Sequence, residues 1–403
     1  MTYREAIAWL FSTQTFGIKL GLDGPKQLLK EFLAYPGHRV KVIHVAGTNG
    51  KGSTCAMIDS IARATGSRCG LFTSPHLIDY RERIQVNGEH IPETNCAAML
   101  TDLREICEGF EHHPTFFEIT LALAMRWFGD QGCELIVLET GMGGRLDATT
   151  AVPADVCVIT PVGMDHQQWL GDSLADIARE KAGIFLEGIP AISSPQDPEA
   201  HAVLEKEANE RRSPLSFIHE PLLGYTPAIP GEHQRWNAAL AVEALHLAGF
   251  HLNSDILRSG LNSVSWPGRF ERIQPTIVLD GAHNPHAAAS LAATWRDQYG
   301  KDKATLIFGA VSAKDITGIL TSLSPIVERI LFCPVDSPRS TPCEEMVKAL
   351  PDTATKHSSH PNLQAAIEAA EQQDEPILIA GSLFLIGQAR ALFTKADYQA
   401  SAQ

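Results

Sequence analysis

The segment HVAGTNGKGST, residues 44–54, gathers glycines, a lysine and hydroxyls in a spacing that suits a phosphate group. Gly47, Gly50 and Gly52 let the main chain turn tightly, so that successive N–H groups can face an anion. Lys51 can reach the outer phosphates of a nucleotide, and a helix opening beside it adds the positive end of its dipole. The strict pattern GxxxxGK[ST] is not met: Val45 replaces the first glycine, and Gly52 stands where a hydroxyl should follow Lys51. A plain glycine-rich turn is the alternative, but a lysine in this context favours ATP or GTP.

Two further stretches carry ligands for a metal. VLETGMGGRLDAT sets Glu139 at the carboxyl end of a buried strand, the edge where open α/β sheets bind ligands. A carboxylate there suits Mg2+, with water and phosphate completing the shell; a turn or helix cap is the other reading. ITPVGMDHQQWLG places Asp165 and His166 beyond another strand. A lone histidine is as often structural as functional, and His166 gains weight by arriving at the same edge as Lys51 and Glu139. In DSLADIAREKAGIF, Ser173 and Asp176 have the spacing of a capping box with a shorter acid. Leu174, Ile177 and Lys181 then fall on one helix face. Burial there would lower the lysine pKa and leave an amine able to take up CO2 as a carbamate, whose oxygens suit a metal. Read from the residues alone, Lys181 snorkelling to solvent or pairing with an acid is the simpler alternative.

These groups need a scaffold, and the hydrophobic pattern supplies an α/β one. KVIHVAG, CELIVLET and ADVCVITPV read as parallel strands buried on both faces, with STCAMIDSIARAT and TFFEITLALAMRWFGD as helices between them. This is a doubly wound pattern. A second set follows residue 270: strands in TIVLDGAH, ATLIFGAV, RILFCPV and PILIAGS, helices in NPHAAASLAATWRDQY, DITGILTSL and LQAAIEAAEQQ. SVSWPGRFE breaks the pattern between the sets, which gives two domains, 1–266 and 267–403. Residues 187–232, rich in Pro, Glu and Ser, show no clear element. The N-terminal stretch reads as an amphipathic helix with Ala6, Ile7, Leu10 and Phe11 on one face, not as a signal peptide.

Composition narrows the function classes. The chain has 403 residues, more than one core usually serves, and 44% of them are hydrophobic, ordinary for a globular protein. A net charge of −14 argues against a nucleic-acid partner. No stretch reaches the roughly 20 apolar residues a bilayer span requires. The eight cysteines form no CxxC pair, and Cys55, Cys69, Cys133, Cys157 and Cys333 lie in or beside apolar or helical runs. Free thiols in a reducing cytoplasm are expected.

Taken together, GTNGKGST, TSPHL, FFEITLA, GMGGRLDAT, MDH…WLG…IAREKAGI, PGRFE and LDGAHNPHA occur in an order and spacing that resembles the folylpolyglutamate and dihydrofolate synthases. These are Mur-type amide ligases, and the resemblance runs from about residue 16 to about residue 390. It implies an N-terminal phosphate-loop domain like the Mur ligase central domain and a smaller, Rossmann-like C-terminal α/β domain. It also implies ATP, two Mg2+ ions and a CO2-derived carbamate on Lys181 as cofactors. By position, Gly47, Thr48, Asn49, Gly50, Lys51, Gly52 and Ser53 would hold the phosphates. Ser74, Glu139, His166 and the modified Lys181 would ligate metal. Asn237, Arg269, Asp280 and His283 would contact nucleotide, the last three from the C-terminal domain. Gly17, Ile18, Lys19, Leu20, Phe116, Phe117, Glu118, Leu146, Asp147 and Ala148 would line the pterin pocket. Two departures stand out: Thr150 where Asn is usual, and Ala313 where an acid usually precedes Lys314 and Asp315.

The implied reaction adds L-glutamate to dihydropteroate or to the glutamate tail of reduced folates through an acyl phosphate, in a cytoplasmic monomer without nucleic-acid or membrane partners. A carboxylate becomes an electrophile only once phosphate replaces oxide as its leaving group. Charge from Lys51, Arg269 and metal would support that transfer. A peptidoglycan-type Mur ligase would need a nucleotide-sugar domain before residue 40, for which there is no room. A phosphate-loop kinase would not explain LDGAHNP. A silent folate-binding protein would be expected to lack Lys51, Glu139 or His166.

Overall fold

Short runs rich in Val, Ile and Leu become the strands of two sheets in the computed structural model, which describes residues 1–17, 21–351 and 356–400. The chain divides into two units, each with its own sheet. The first comprises residues 1–75, 81–227 and 235–264; the second comprises 76–80, 228–234 and 265–403.

The strands of the first sheet are β1 (Lys41–Ala46), β2 (Cys69–Phe72), β3 (Ile84–Val86), β4 (Glu89–His90), β5 (Leu135–Glu139), β6 (Val156–Ile159), β7 (Ala191–Ser193) and β8 (Leu215–Phe217). Their spatial order is β4-β3-β2-β5-β1-β6-β7-β8, parallel except for the β3–β4 edge. The helices before residue 264 are α1 (Tyr3–Ser12), α2 (Asp23–Glu31), α3 (Lys51–Ala64), α4 (Glu93–Cys107), α5 (Phe116–Asp130), α6 (Gln167–Leu170), α7 (Leu174–Ala182), α8 (Pro198–Arg211), α9 (Glu232–Leu247) and α10 (Ser254–Ser263). Strand β1 lies between β5 and β6. The connection through α3 carries the chain to β2 on one side, while β6 to β8 extend the other, so the carboxyl end of β1 is a topological switch point. Register aligns this edge: Val45 pairs with Glu139, and Ala46 with Ile159.

One expectation changes here and another is met. The middle region, unreadable from composition, supplies β7, α8 and β8, which lengthen the parallel sheet. Strands of three residues are too short to show a period, and pairing holds them extended, β7 on β6 and β8 on β7. The N-terminal helix forms with a complete capping box between Thr2 and Glu5, and Ala6 and Leu10 are fully buried on its inner face.

In the second unit β9 (Glu271–Gln274), β10 (Ile277–Asp280), β11 (Ala304–Phe308), β12 (Val327–Phe332), β13 (Lys356–Ser359) and β14 (Ile377–Ala380) lie in the order β13-β12-β11-β14-β10-β9. All pair in parallel except β9. The helices are α11 (Pro285–Tyr299), α12 (Ile316–Leu323), α13 (Cys343–Lys348), α14 (Leu363–Ala370) and α15 (Leu383–Thr394). Trp295, Ile319 and Leu320 pack on one face of the sheet. Ile367, Leu385 and Ile386, with Leu77 and Ile78 from the 76–80 segment, pack on the other. All eight cysteines are free, seven of them buried. No described helix is long and apolar enough to cross a membrane.

Candidate active site

The loop from β1 to α3 is built on glycines that nothing else can replace. Gly47 has φ +149, and a Cβ there would stand 1.8 Å from Thr160 Oγ1. Gly50, in the left-handed region at φ 86, precedes α3, and its Cβ would meet Asn237 Oδ1 at 2.7 Å. Asn237, on α9, is buried. The first N–H groups of α3, from Lys51, Gly52 and Ser53, have no acceptor within the helix, and no side chain caps this end.

Thr48 and Asn49, expected among the residues that hold phosphate, direct their backbone N–H groups to the chain leaving β6. Both donate to the carbonyl of Pro161, at 2.9 and 3.2 Å. The Thr48 hydroxyl donates to Gly163 O and accepts from Gly163 N, each at 3.0 Å. These two residues clasp the chain leaving β6.

Two lysines meet on one carbonyl. Lys51 Nζ donates to Gly47 O at 3.2 Å and to Thr48 O at 3.3 Å, and Lys181 Nζ donates to Gly47 O at 2.7 Å. Lys181 is only 3% exposed, so the snorkelling alternative fails. Ser173 caps its helix by accepting from Asp176 N, and Ile177 and Lys181 both turn inward. Burial, and then the Lys51 charge, lower the Lys181 pKa to about 7, against the opposing pull of Asp165, Asp147 and Glu180. The group is an amine poised to lose its proton near neutrality.

Glu139 ends β5 with its carboxylate buried and accepting from Ser74 N at 3.1 Å. His166 has φ 52, a left-handed backbone rare outside glycine and asparagine, and its ring is 48% exposed. Its backbone N–H donates to Asp165 Oδ1 at 2.9 Å. Among the described residues no three His, Cys, Asp or Glu side chains form a metal cage. A carboxylate, an imidazole and a hydroxyl are donor types that a divalent ion keeping waters and phosphate oxygens would accept.

Of the residues expected around the pterin, Ile18, Lys19 and Leu20 lie outside the described residues, and Gly17 has φ 66. Phe117 and Asp147 converge on Gly141, where a Cβ would meet Phe117 Cζ at 2.8 Å and Asp147 Oδ2 at 3.3 Å. Phe116 packs edge-on against Phe11 and beneath the Arg83 guanidinium. Glu118 completes a capping box with Thr115. Asp147 accepts from Met142 N at 2.9 Å and Thr149 N at 3.0 Å, a clamp on its own loop flanked by Leu146 and Ala148. Sequence reading missed His44. It is buried in β1 and bonded through Nε2 to Thr149 Oγ1 at 2.7 Å, while that hydroxyl donates to Asp147 Oδ1. Thr149 Oγ1 therefore accepts from His44, which fixes the Nε2–H tautomer. A histidine inside an otherwise apolar strand was the available signal.

The chain matches the Mur ligase middle domain over residues 45–221 and the Mur ligase glutamate ligase domain over 268–383. It is 34% identical to the dihydrofolate synthase/folylpolyglutamate synthase of Bacillus subtilis, over 96% of this chain and 98% of that one. The chain belongs to the folylpolyglutamate and dihydrofolate synthase family. E. coli FolC in complex with DHPP and ADP superposes with a TM-score of 0.86 at 30% identity, covering 97% of this chain and 98% of that one. A bifunctional synthase of the same family with Mn, AMPPNP and L-glutamate bound gives 0.85 at 31% identity, covering 96% and 98%.

Of the two departures from the synthase pattern, Thr150 has a local role, and nothing in the structure explains Ala313. Thr150 Oγ1 donates to Gly144 O at 2.7 Å and tightens the GMGGRLDAT loop. Ala313 takes a left-handed backbone, φ 64, and the following Asp315 caps α12. In the second unit Asp280 accepts from Phe270 N at 2.8 Å and Ala282 N at 2.9 Å. Burial raises its pKa, opposed by the Arg269 charge. Arg269 Nη1 donates to Gly268 O at 3.1 Å, and His283 Nδ1 bonds Gly281 O at 2.8 Å. These contacts order the PGRFE and LDGAHNP segments against each other.

Proposed function

We propose that this synthase-family chain joins the amine of L-glutamate to the carboxylate of dihydropteroate and of reduced folates, with ATP supplying the activating phosphoryl group. The observation that carries this reading is the shared strand edge. The phosphate loop, Glu139 and the segment bearing His166 all leave the sheet at the carboxyl ends of β1, β5 and β6. Residues able to neutralise phosphate charge therefore converge where the fold binds ligands.

The end of α3 and the Lys51 ammonium bind the β- and γ-phosphate oxygens and orient the terminal phosphorus toward the acceptor carboxylate. Glu139, His166 and Ser74 would hold Mg2+, which supplies charge neutralisation as the phosphoryl group transfers. The acceptor oxygen forms a bond to phosphorus as the bond to ADP breaks, which leaves an acyl phosphate. The neutral amine of glutamate then attacks the acyl carbon, and phosphate departs with the bonding pair. Arg269, Asp280, His283 and Asn237 are proposed nucleotide contacts. Phe117, with the loop that Asp147 clamps, forms a wall of the pterin pocket.

Lys181 is proposed to carry a carbamate. A buried amine with a pKa of about 7 is largely unprotonated at pH 7.5 and can attack CO2, releasing one proton. The carbamate N–H can keep its bond to Gly47 O, while its oxygens join the metal ligands. The eight free cysteines support a reducing, cytoplasmic location, and a monomer is the proposed working form.

The deciding experiment follows phosphate release with ATP, Mg2+ and labelled glutamate, using dihydropteroate or tetrahydrofolate as acceptor and weighing the products by mass spectrometry. Addition of one glutamate to each acceptor is expected. Turnover without glutamate incorporation would overturn the assignment.

A further inference from the structure

We propose that Gln196, in the stretch where the sequence showed no element, is a positioning residue for the phosphate loop. The regular β6–β7 ladder stops where Ile159 pairs with Ser193, followed by a bond from Ser194 N to Ile159 O at 3.0 Å. The next residue along the β6 exit that matters is Pro161, whose carbonyl accepts both Thr48 N and Asn49 N. Pro161 has no N–H of its own to join a ladder. Gln196 brackets it from the other side. Its Oε1 accepts from Val162 N at 2.9 Å, and its Nε2 donates to Thr160 O at 3.2 Å.

A neighbouring strand residue would offer the same pair, an acceptor for the N–H after Pro161 and a donor for the carbonyl before it. The side-chain amide thus extends the ladder by one rung, in the place where backbone pairing has ended. The two Nε2 hydrogens are shared among Thr160 O, Ser193 Oγ and Ser194 Oγ, the last two each at 3.1 Å, so the serines hold the amide beside the strand. The consequence reaches the nucleotide. Fixing residues 160–162 fixes the Pro161 carbonyl, which sets the height and tilt of Thr48 and Asn49. Those residues lead into Gly50 and the open N–H groups of α3. The Thr160 hydroxyl, the nearest neighbour to any Cβ at Gly47, belongs to the same segment. Gln196 acts through the loop and needs no contact with the ligand.

The inference rests on the nucleotide reading of the loop, so the test carries a control for that reading. MgATP binding is titrated by calorimetry with the full chain and with the Gln196→Leu, Gln196→Glu and Lys51→Ala variants, and dihydropteroate binding is measured alongside. Gln196→Leu should weaken MgATP by about tenfold, the scale of one ordering hydrogen bond lost, and leave the dihydropteroate affinity within about twofold. Gln196→Glu keeps the acceptor for Val162 N and loses the donor, so an intermediate loss is expected; it carries the test alone if the leucine variant does not fold. An unchanged MgATP affinity in the soluble variants, or an equal loss for dihydropteroate, overturns the proposal. If Lys51→Ala binds MgATP as the parent does, the nucleotide reading itself has failed, and Gln196 is not needed to see it.

Discussion

At the scale of single residues the site works by placing charges where water would otherwise screen them. Lys51 is the clearest case, because its ammonium sits over the loop carbonyls with the helix end behind it. Lys51→Ala should lower kcat/KM for ATP by about 10²–10³, the usual cost of one preorganised charge at a transferring group, with little change in melting temperature. An effect confined to stability would refute the role. His44 offers a test with a sign. Burial drops its pKa from the ordinary 6.5 to about 3, so the folded chain keeps it neutral. Below pH 6.5 the unfolded chain takes up a proton that the folded chain refuses, and stability falls as pH drops toward 3. The slope for one such group is about 1.4 kcal/mol per pH unit. His44→Gln keeps a donor for Thr149 and cannot titrate. Urea unfolding at pH 7.5, 6 and 5 should therefore give the variant a shallower acid loss than the parent. Parallel curves would mean that the imidazole is not held neutral.

At the scale of elements, what the sequence made legible was periodicity longer than a few residues. β1, β5, β6, α3 and α5 were readable because five or more apolar positions, a Thr115 cap or a glycine punctuated them. The phosphate loop was readable for a related reason, since glycines and one lysine in a fixed order have few other uses. Strands β7 and β8 were not, because three residues show no alternation and their extended form comes from the neighbouring strand, β6 for β7 and β7 for β8. Main-chain donors were also invisible: nothing in GTNGKGST says that Thr48 and Asn49 spend their N–H groups on Pro161. Nor could the residues alone tell a snorkelling Lys181 from a buried one, since both share the same helix face. The loop itself predicts a clean asymmetry. Gly50→Ala must hold alanine at φ 86 and push against Asn237, which costs about 1–2 kcal/mol in backbone strain alone. Gly66→Ala, at φ 92 with nothing within 4 Å, bears the strain without the collision. Both should lower the melting temperature, yet only Gly50→Ala should also abolish MgATP binding by calorimetry. Equal nucleotide affinities in the two variants would remove the loop from the site.

At the scale of the whole molecule the second unit is not a continuous stretch of chain. Leu77 and Ile78 belong to its core beside Leu385 and Ile386, although more than 190 residues separate them from β9 in sequence. The packing leaves no slack, since a Cβ on Gly387 would lie 2.2 Å from Leu77 O. The tail seals the segment: Gln399 N donates to Ile78 O at 2.8 Å, its Oε1 accepts from Tyr80 N at 3.0 Å, and its carbonyl meets His76 Nε2 at 3.0 Å. A fragment cut at residue 267, where Pro and Gly suggest a boundary, loses two buried aliphatic side chains worth about 1.5–3 kcal/mol each. Domains hold only about 5–15 kcal/mol in total, so this is a large share of the margin. Fragment 267–403 should melt well below the second unit in the full chain and bind a hydrophobic dye. A peptide spanning residues 74–82 added in trans should raise its melting temperature in proportion to concentration, by mass action. If the fragment melts cooperatively without the peptide, and at the temperature of the intact chain, residues 76–80 are passengers on this core and the tail contacts stabilise nothing.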